Sequence, residues 1–454
     1  MPFISINPAT EEINATYDSH SDARVQSAIA EAHDAFSSWK ELSFADRAVY
    51  MVRAAELIES EIPVIAELMS SEMGKTFAAA KGEAAKCAST MRYYAEHAEE
   101  LLATESIKTP AKNSGVRYDP VGALFGIMPW NFPLWQITRF VAPNMMAGNV
   151  VLIKHAPNVP GCAKFMADLF TRAGFPTGVY TNLFVEVEQV ESIISDARIQ
   201  GVTLTGSERA GRSVAALAGK YLKKCVLELG GSDPFIVASS ADMDHTIPLA
   251  VTARVQNNGQ ACIAAKRFIV VKDRAEEFIS KFSEAMSQVP VGSPMEPTTV
   301  IGPLVNKSQY ELITAQVSDS VAKGAVVHTG GAPLDGKGYF YPATVLSNVS
   351  KDSRAGCEEL FGPVAVVYVV EDLTEAIDLA NDTPWGLGAM IYATDVKEIH
   401  QAIEGIDAGM VFANSNVASM PELPFGGTKS SGFGRELGAI GIREFMNAKT
   451  FYVA

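Results

Sequence analysis

Between Ser21 and Lys40 the apolar residues Val25, Ile29, Ala32, Phe36 and Trp39 fall at steps of four and three, which places them on one face of a helix. The first hundred or so residues read as mostly helical. From Val121 the pattern changes to short β-rich runs, VGALFGIMP, NVVLIKHA, GVTLTGS and KKCVLELGG, separated by helical stretches such as CAKFMADLFTRAG. That alternation predicts a parallel sheet with helices on both faces. A second series follows Gly231, with PFIVASS, KRFIVVKD, PVAVVYVV and MVFANS as strands and KFSEAM and LTEAIDLAN as helices, so a second α/β lobe is expected. The segment PFGGTKSSGFGRELG reads as a loop ahead of a last short element. No internal repeat or Ser/Gly-rich linker separates these regions, which predicts lobes packed directly on one another.

Composition narrows the picture without changing it. A chain of 454 residues, 48% apolar and 20% charged, is long enough for two large or three ordinary domains with a cleft between them. Its formal charge of -15, with no local basic patch, argues against a nucleic-acid partner. The longest apolar runs, near Val121 to Trp130 and Pro363 to Val370, are too short to span a bilayer, and the N-terminus carries no basic leader. Five cysteines, Cys87, Cys162, Cys225, Cys262 and Cys357, stand far apart without CxxC or Cys/His metal spacing. Free thiols in a reducing cytoplasm, and no metal site, are the expectation.

Four segments carry candidate chemistry. In NNGQACIAAKR, Gly259 permits a backbone turn that presents the Cys262 thiol at a cleft, although most free cysteines are small buried hydrophobes. In LELGG, Glu228 ends an apolar strand, where desolvation would raise its pKa toward that of a general base; the competing reading is a carboxylate turned to solvent. In PWNFP, two prolines fix the chain around Asn131, whose amide suits a developing oxyanion but equally suits a turn. TLTGSERAG follows a strand and opens a helix, so Gly206, Ser207 and the first helical N–H groups would face a pyrophosphate; the same residues also make an ordinary helix start.

Together PWNFP, TGSERAG, LELGG, GQAC, EELFGPV and PFGGTKSSGFGRELG stand in the order and approximate spacing of the aldehyde dehydrogenase superfamily, which the chain resembles over nearly its whole length. The resemblance implies an α/β fold with a Rossmann-like cofactor domain (1–105 and 121–229), an α/β catalytic domain (230–413) and a small oligomerisation flap (106–120 and 428–454), assembled as a homodimer or homotetramer. It implies Cys262 as nucleophile, Glu228 as general base and Asn131 as oxyanion donor. Trp130, Lys154, Pro157, Gly206, Ser207, Gly211, Leu229, Glu359 and Phe361 are the implied cofactor contacts. Where NAD-preferring relatives place a Glu that would repel a 2′-phosphate, this chain has Pro157, so NADP is expected to be preferred, with NAD as the second cofactor.

Within the superfamily PWNFPLWQITRF resembles succinate-semialdehyde dehydrogenases, in which the Arg eight residues after the Asn binds the distal carboxylate of the substrate; here it is Arg139. A guanidinium pairs a carboxylate bidentately, and its competing role is an interlobe salt bridge. A second Arg that some of these enzymes carry is Gln256 here, and Ser419 is aligned as a further donor. A small-molecule semialdehyde is therefore the expected partner, with no nucleic acid or membrane. Glutarate semialdehyde, small aliphatic aldehydes and a non-catalytic binding protein on the same fold are the alternatives.

Overall fold

The periodicity read from Ser21 onward is realised as the helix Asp22–Trp39, capped by the Ser21 hydroxyl, with Val25, Ala28, Ile29, Ala32 and Trp39 buried. Full burial of Val25 or Ile29 contributes about 2 kcal/mol each. Three further helices, Phe44–Ser60, Ile62–Met73 and Phe77–Leu101, complete the N-terminal region. The computed structural model describes residues 2–454, so Met1 of the expected cofactor domain lies outside the described residues.

The first sheet has six strands in the order Gly432–Phe433, Lys224–Glu228, Ile199–Thr205, Ala123–Ile127, Val150–Lys154 and Tyr180–Asn182. All neighbours are parallel except the Gly432–Phe433 edge. Helices Trp135–Met146, Pro160–Arg172 and Glu208–Lys220 make the crossovers that parallel pairing requires. The second sheet runs Val326–Thr329, Thr344–Ser347, Val364–Val370, Arg267–Val271, Pro234–Val237, Gly388–Tyr392 and Met410–Ala413, with only the first strand antiparallel. Central strands such as Val150–Lys154 and Arg267–Val271 are buried along their whole length, which is why they read as continuous apolar runs. No helix of the described residues is long and apolar enough to cross a membrane.

Two features depart from the sequence reading. Gly388–Tyr392 is a fully buried strand inside the second sheet that the sequence pattern left unmarked, because its glycine and alanine carry little strand preference. The Gly-rich segment is also more than a loop. Thr428–Lys429 pairs with Trp385–Gly386, and Gly432 pairs with Glu228 itself, so this stretch belongs to the two lobes and the three-stranded sheet starts later. That sheet joins Glu105–Ser106, Asn113–Pro120 and Met446–Val453; its last strand is eight residues long rather than a short element.

Candidate active site

Two cavities meet at Cys262. One, of about 370 Å³, is lined by Trp130, Asn131, Gly206, Ser207, Glu228, Leu229, Glu359 and Phe361, together with Cys262. The other, of about 250 Å³, is lined by Lys86, Phe132, Trp135, Arg139, Gln256, Ser419 and again Cys262. Gln136 borders both.

The thiol is presented by an unusual backbone. After the helix Met243–Val255, Asn257, Asn258 and Gly259 take successive left-handed conformations with φ of 53°, 59° and 74°. Asn tolerates this region better than most side chains, and glycine does so without a Cβ penalty. A Cβ at Gly259 would lie 2.3 Å from the Gly362 carbonyl carbon, so no other residue fits. Side chains tie the loop down: Asn258 donates to the carbonyls of Gly74 (2.8 Å) and Pro303 (3.0 Å), Arg254 to that of Gly259 (2.6 Å), and Lys266 to those of Ala261 and Cys262. Strain held by surrounding bonds is a feature of reactive loops.

Asn131 donates from Nδ2 to the Gln260 carbonyl at 3.1 Å and is almost fully buried, while Asn257 donates to the Asn131 carbonyl at 2.8 Å. The turn carrying Asn131 is anchored further along by His155, whose Nε2 donates to the Pro133 carbonyl at 2.7 Å while its Nδ1 accepts from Ala156 N–H. Behind it, Glu83 accepts from the amides of Leu134 and Trp135, both at 2.9 Å, at the N-terminus of the Trp135–Met146 helix, and pairs with the buried Lys75.

Glu228 ends its strand buried, and among the described residues no hydrogen-bond partner reaches either carboxylate oxygen. Burial raises its pKa well above the carboxylate range; Arg139 opposes this and the nearby Glu436 adds to it. Burial likewise pushes the Cys262 thiol up to about 11, against the opposing charges of Arg139 and Lys266. Below that value the thiolate fraction grows tenfold per pH unit. Alkylation of Cys262 by iodoacetamide is therefore expected to accelerate about tenfold for each unit between pH 7 and pH 10. A rate that levels off near pH 8 would show a thiolate stabilised beyond what these neighbours supply.

The dinucleotide-like features are on the larger cavity. Ser207 caps the helix Glu208–Lys220, whose N-terminal N–H groups and dipole favour an anion. Gly206 has only Leu204 near its missing Cβ, whereas a Cβ on Gly211 would lie 2.6 Å from Leu229, so Gly211 lets helix and strand end approach rather than facing a ligand. Trp130 and Phe361 meet edge to face at 5.5 Å. Glu359 accepts from the Gly231 N–H at 3.1 Å and pairs with Lys266 at 3.3 Å. An anion-favouring helix end, an aromatic wall and the thiol on one cavity fit a nicotinamide dinucleotide. Lys154 and Pro157 follow from the neighbouring strand and do not line the cavity itself; burial lowers the Lys154 pKa, and Glu186 opposes this.

Arg139 lines the smaller cavity, but its guanidinium is already engaged: Nε pairs with Glu436, Nη2 donates to Thr205 at 3.2 Å, and Phe425 lies 4.5 Å beneath it. Its charge is thus countered within the chain. Sequence reasoning missed Lys86, which shares this cavity, and also Glu83, Lys75 and Lys266. Each is an ordinary helix, loop or strand-edge charge in sequence and acquires its place only through packing.

Comparison with known proteins agrees with this architecture. A profile of the aldehyde dehydrogenase family matches residues 2–451. The chain is 51% identical to a succinate-semialdehyde dehydrogenase [NADP(+)] of Mycobacterium avium, covering 100% of this chain and 97% of that protein. It is equally 51% identical, over the full length of both, to succinate-semialdehyde dehydrogenase [NADP(+)] 1 of Mycobacterium tuberculosis. The crystal structure of a succinic semialdehyde dehydrogenase from Streptococcus pyogenes in complex with NADP+ superposes with a TM-score of 0.97 at 36% identity, covering 99% of each chain. With its two-lobed α/β fold and a family match along almost its whole length, the chain belongs to the aldehyde dehydrogenase family.

Proposed function

We propose that this enzyme oxidises succinate semialdehyde to succinate with NADP as preferred acceptor and NAD as the alternative. The observation that carries the reading is the single thiol shared by two cavities, one shaped for a dinucleotide and the other walled by the cations Lys86 and Arg139. The NADP-linked names of its relatives support the substrate and cofactor.

In this reading the Cys262 thiol gives up its proton to solvent water and the thiolate sulfur adds to the aldehyde carbon, and the negative charge that develops on oxygen is met by the Asn131 amide and the Cys262 N–H. When bound, the dinucleotide supplies a two-electron acceptor for the hydride of the aldehyde carbon, held by Ser207, the Glu208–Lys220 helix end, Trp130, Glu359 and Phe361. Glu228 then takes a proton from water as the water attacks the resulting thioester, and the thiol is released with succinate. A carboxylate with its pKa raised by burial is suited to hold that proton near neutral pH. Lys154 supplies positive charge near the adenosine end, and Pro157 leaves that end without a repelling carboxylate.

The strand order supports a three-part division close to residues 1–105 and 121–229 for the cofactor, 230–413 for catalysis and 106–120 with 428–454 for the flap, whose sheet is Glu105–Ser106, Asn113–Pro120 and Met446–Val453. Exposed Tyr452 and Val453 on that sheet, with Ile107 just past its Glu105–Ser106 strand, support association into a homodimer or homotetramer. Five unpaired cysteines support a reducing, cytoplasmic location.

The test is turnover against a matched pair. kcat/KM for succinate semialdehyde is expected to exceed that for butanal, of equal chain length without the carboxylate, by about 100-fold, and NADP to exceed NAD. Equal or better use of butanal removes the semialdehyde reading. A higher kcat/KM with NAD removes the cofactor preference.

A further inference from the structure

Gln136 is a polar residue of the site that the mechanism leaves unused. Besides Cys262 it is the one side chain that borders both cavities. It is 2% exposed, and among the described residues no hydrogen-bond partner reaches its Oε1. An amide carbonyl buried in this way is unfavourable until a donor arrives.

Local structure fixes where this oxygen stands. Gln136 is the second residue of the helix Trp135–Met146, and its N–H donates to the Phe132 carbonyl at 3.0 Å, so it is held as one body with the PWNFP turn that carries Asn131. One turn further on, Arg139 donates to Thr205 at 3.2 Å, and Thr205 is the cross-strand neighbour of Glu228. The helix face that bears Gln136 is thereby tied to the strand end that bears Glu228, whose own oxygens also lack a partner among the described residues.

The chemistry narrows what this acceptor can meet. An aldehyde oxygen, a thioester carbonyl and a carboxylate only accept hydrogen bonds, so none of them satisfies Gln136 Oε1. The hydrolytic water brings two O–H donors. One faces Glu228, and the other would be left against the apolar walls of Phe132, Trp135 and Phe425. Trp130, Ser207 and Phe361 line only the larger cavity, which places Gln136 where the acylated thiol stands, between the two.

We propose that Gln136 Oε1 is the second acceptor of the hydrolytic water, holding one O–H while Glu228 takes the proton of the other. This rests on the covalent route of the reading above. With both O–H groups held, the water keeps a lone pair directed at the thioester carbon. The C–O bond forms as the first proton passes to Glu228, the C–S bond breaks, and Glu228 returns that proton to the leaving sulfur. The O–H held by Gln136 stays with the product acid, which releases its proton to solvent. Gln136 itself exchanges no proton.

The experiment follows the acyl adduct on Cys262 by intact mass, after rapid mixing of enzyme and excess NADP with a single equivalent of aldehyde and acid quench. Wild type, Gln136→Met and Gln136→Leu are compared. The adduct is expected to form at the wild-type rate in both variants and to decay about 30-fold more slowly. A first-order decay does not depend on how much of a variant is active. Hydroxylamine, whose free amine attacks a thioester without a base, gives a second readout: its share of the product relative to water is expected to rise about 30-fold. Decay at the wild-type rate, or a partition that does not move, overturns the proposal. Formation slowed as much as decay does so too, because it marks a role before the thioester. Succinate semialdehyde and butanal are run in parallel. An adduct from butanal alone removes the semialdehyde reading and passes the comparison to the butyryl adduct, whereas no wild-type adduct from either aldehyde overturns the covalent route and the proposal together.

Discussion

Replacing Cys262 with alanine is expected to lower aldehyde oxidation by about 10⁵-fold, the scale seen when a covalent nucleophile is removed from a site whose binding groups remain. The substitution removes one sulfur and leaves the carbonyls that bind Lys266 and Arg254 untouched, so the loop should keep its shape. Dinucleotide binding, followed by quenching of protein fluorescence, is expected to change little, since Trp130, Ser207 and Phe361 line the larger cavity independently of the thiol. The decisive measurement is the growth of reduced-nicotinamide absorbance under single-turnover conditions. A Cys262→Ala variant that still gives a full single turnover would show that no thiohemiacetal is needed, and the covalent route would be abandoned.

The second large effect falls on the other half of the cycle. With Glu228→Gln, attack and oxidation are expected to proceed while thioester hydrolysis slows by about 10³-fold, because general-base assistance is typically worth two to four powers of ten. The signature is a burst of reduced dinucleotide equal to the enzyme concentration, followed by a slow steady rate, with the succinyl adduct visible on Cys262 by intact mass. Glu436→Gln separates the roles of the two acids. Glu436 is bound to Arg139, so its loss should disturb Arg139 and the charge around Glu228 without producing an equal burst. Loss of the burst in Glu228→Gln would instead place this carboxylate before oxidation, as the base for the thiol.

How far the sequence foretold these sites depended on whether the signal was local. Strands such as Val150–Lys154 and Val364–Val370 are legible because a strand buried on both faces must be apolar throughout. Cys262, Glu228 and Asn131 were singled out by six motifs standing in order, since each motif alone left an ordinary structural reading open, and the fold brings all three to one cavity. Gly388–Tyr392 was not, since its place in the middle of a sheet comes from its neighbours and not from its own residues. The pairing of Arg139 with Glu436 was equally hidden: the partners belong to distant parts of the chain, and a lone arginine carries no mark of which carboxylate it will meet. The place of Lys86 on the smaller cavity was concealed for the same reason, because its surroundings, Ser419 and Trp135, come from elsewhere.

The Gly-rich strand that pairs Gly432 with Glu228 also bears on how the site comes into being during synthesis. Ser431 donates to the Gly230 carbonyl across 201 residues of chain, and Glu436 arrives with the same stretch. At about 5–20 residues per second the ribosome delivers this edge roughly ten to forty seconds after Glu228 has emerged. Through that interval the first sheet has an open edge beside Glu228, and Arg139 lacks its counter-ion. The nascent chain can thus carry most of the cofactor lobe before Glu228 gains its edge partner and Arg139 its counter-ion, so the first sheet is closed only near the end of synthesis.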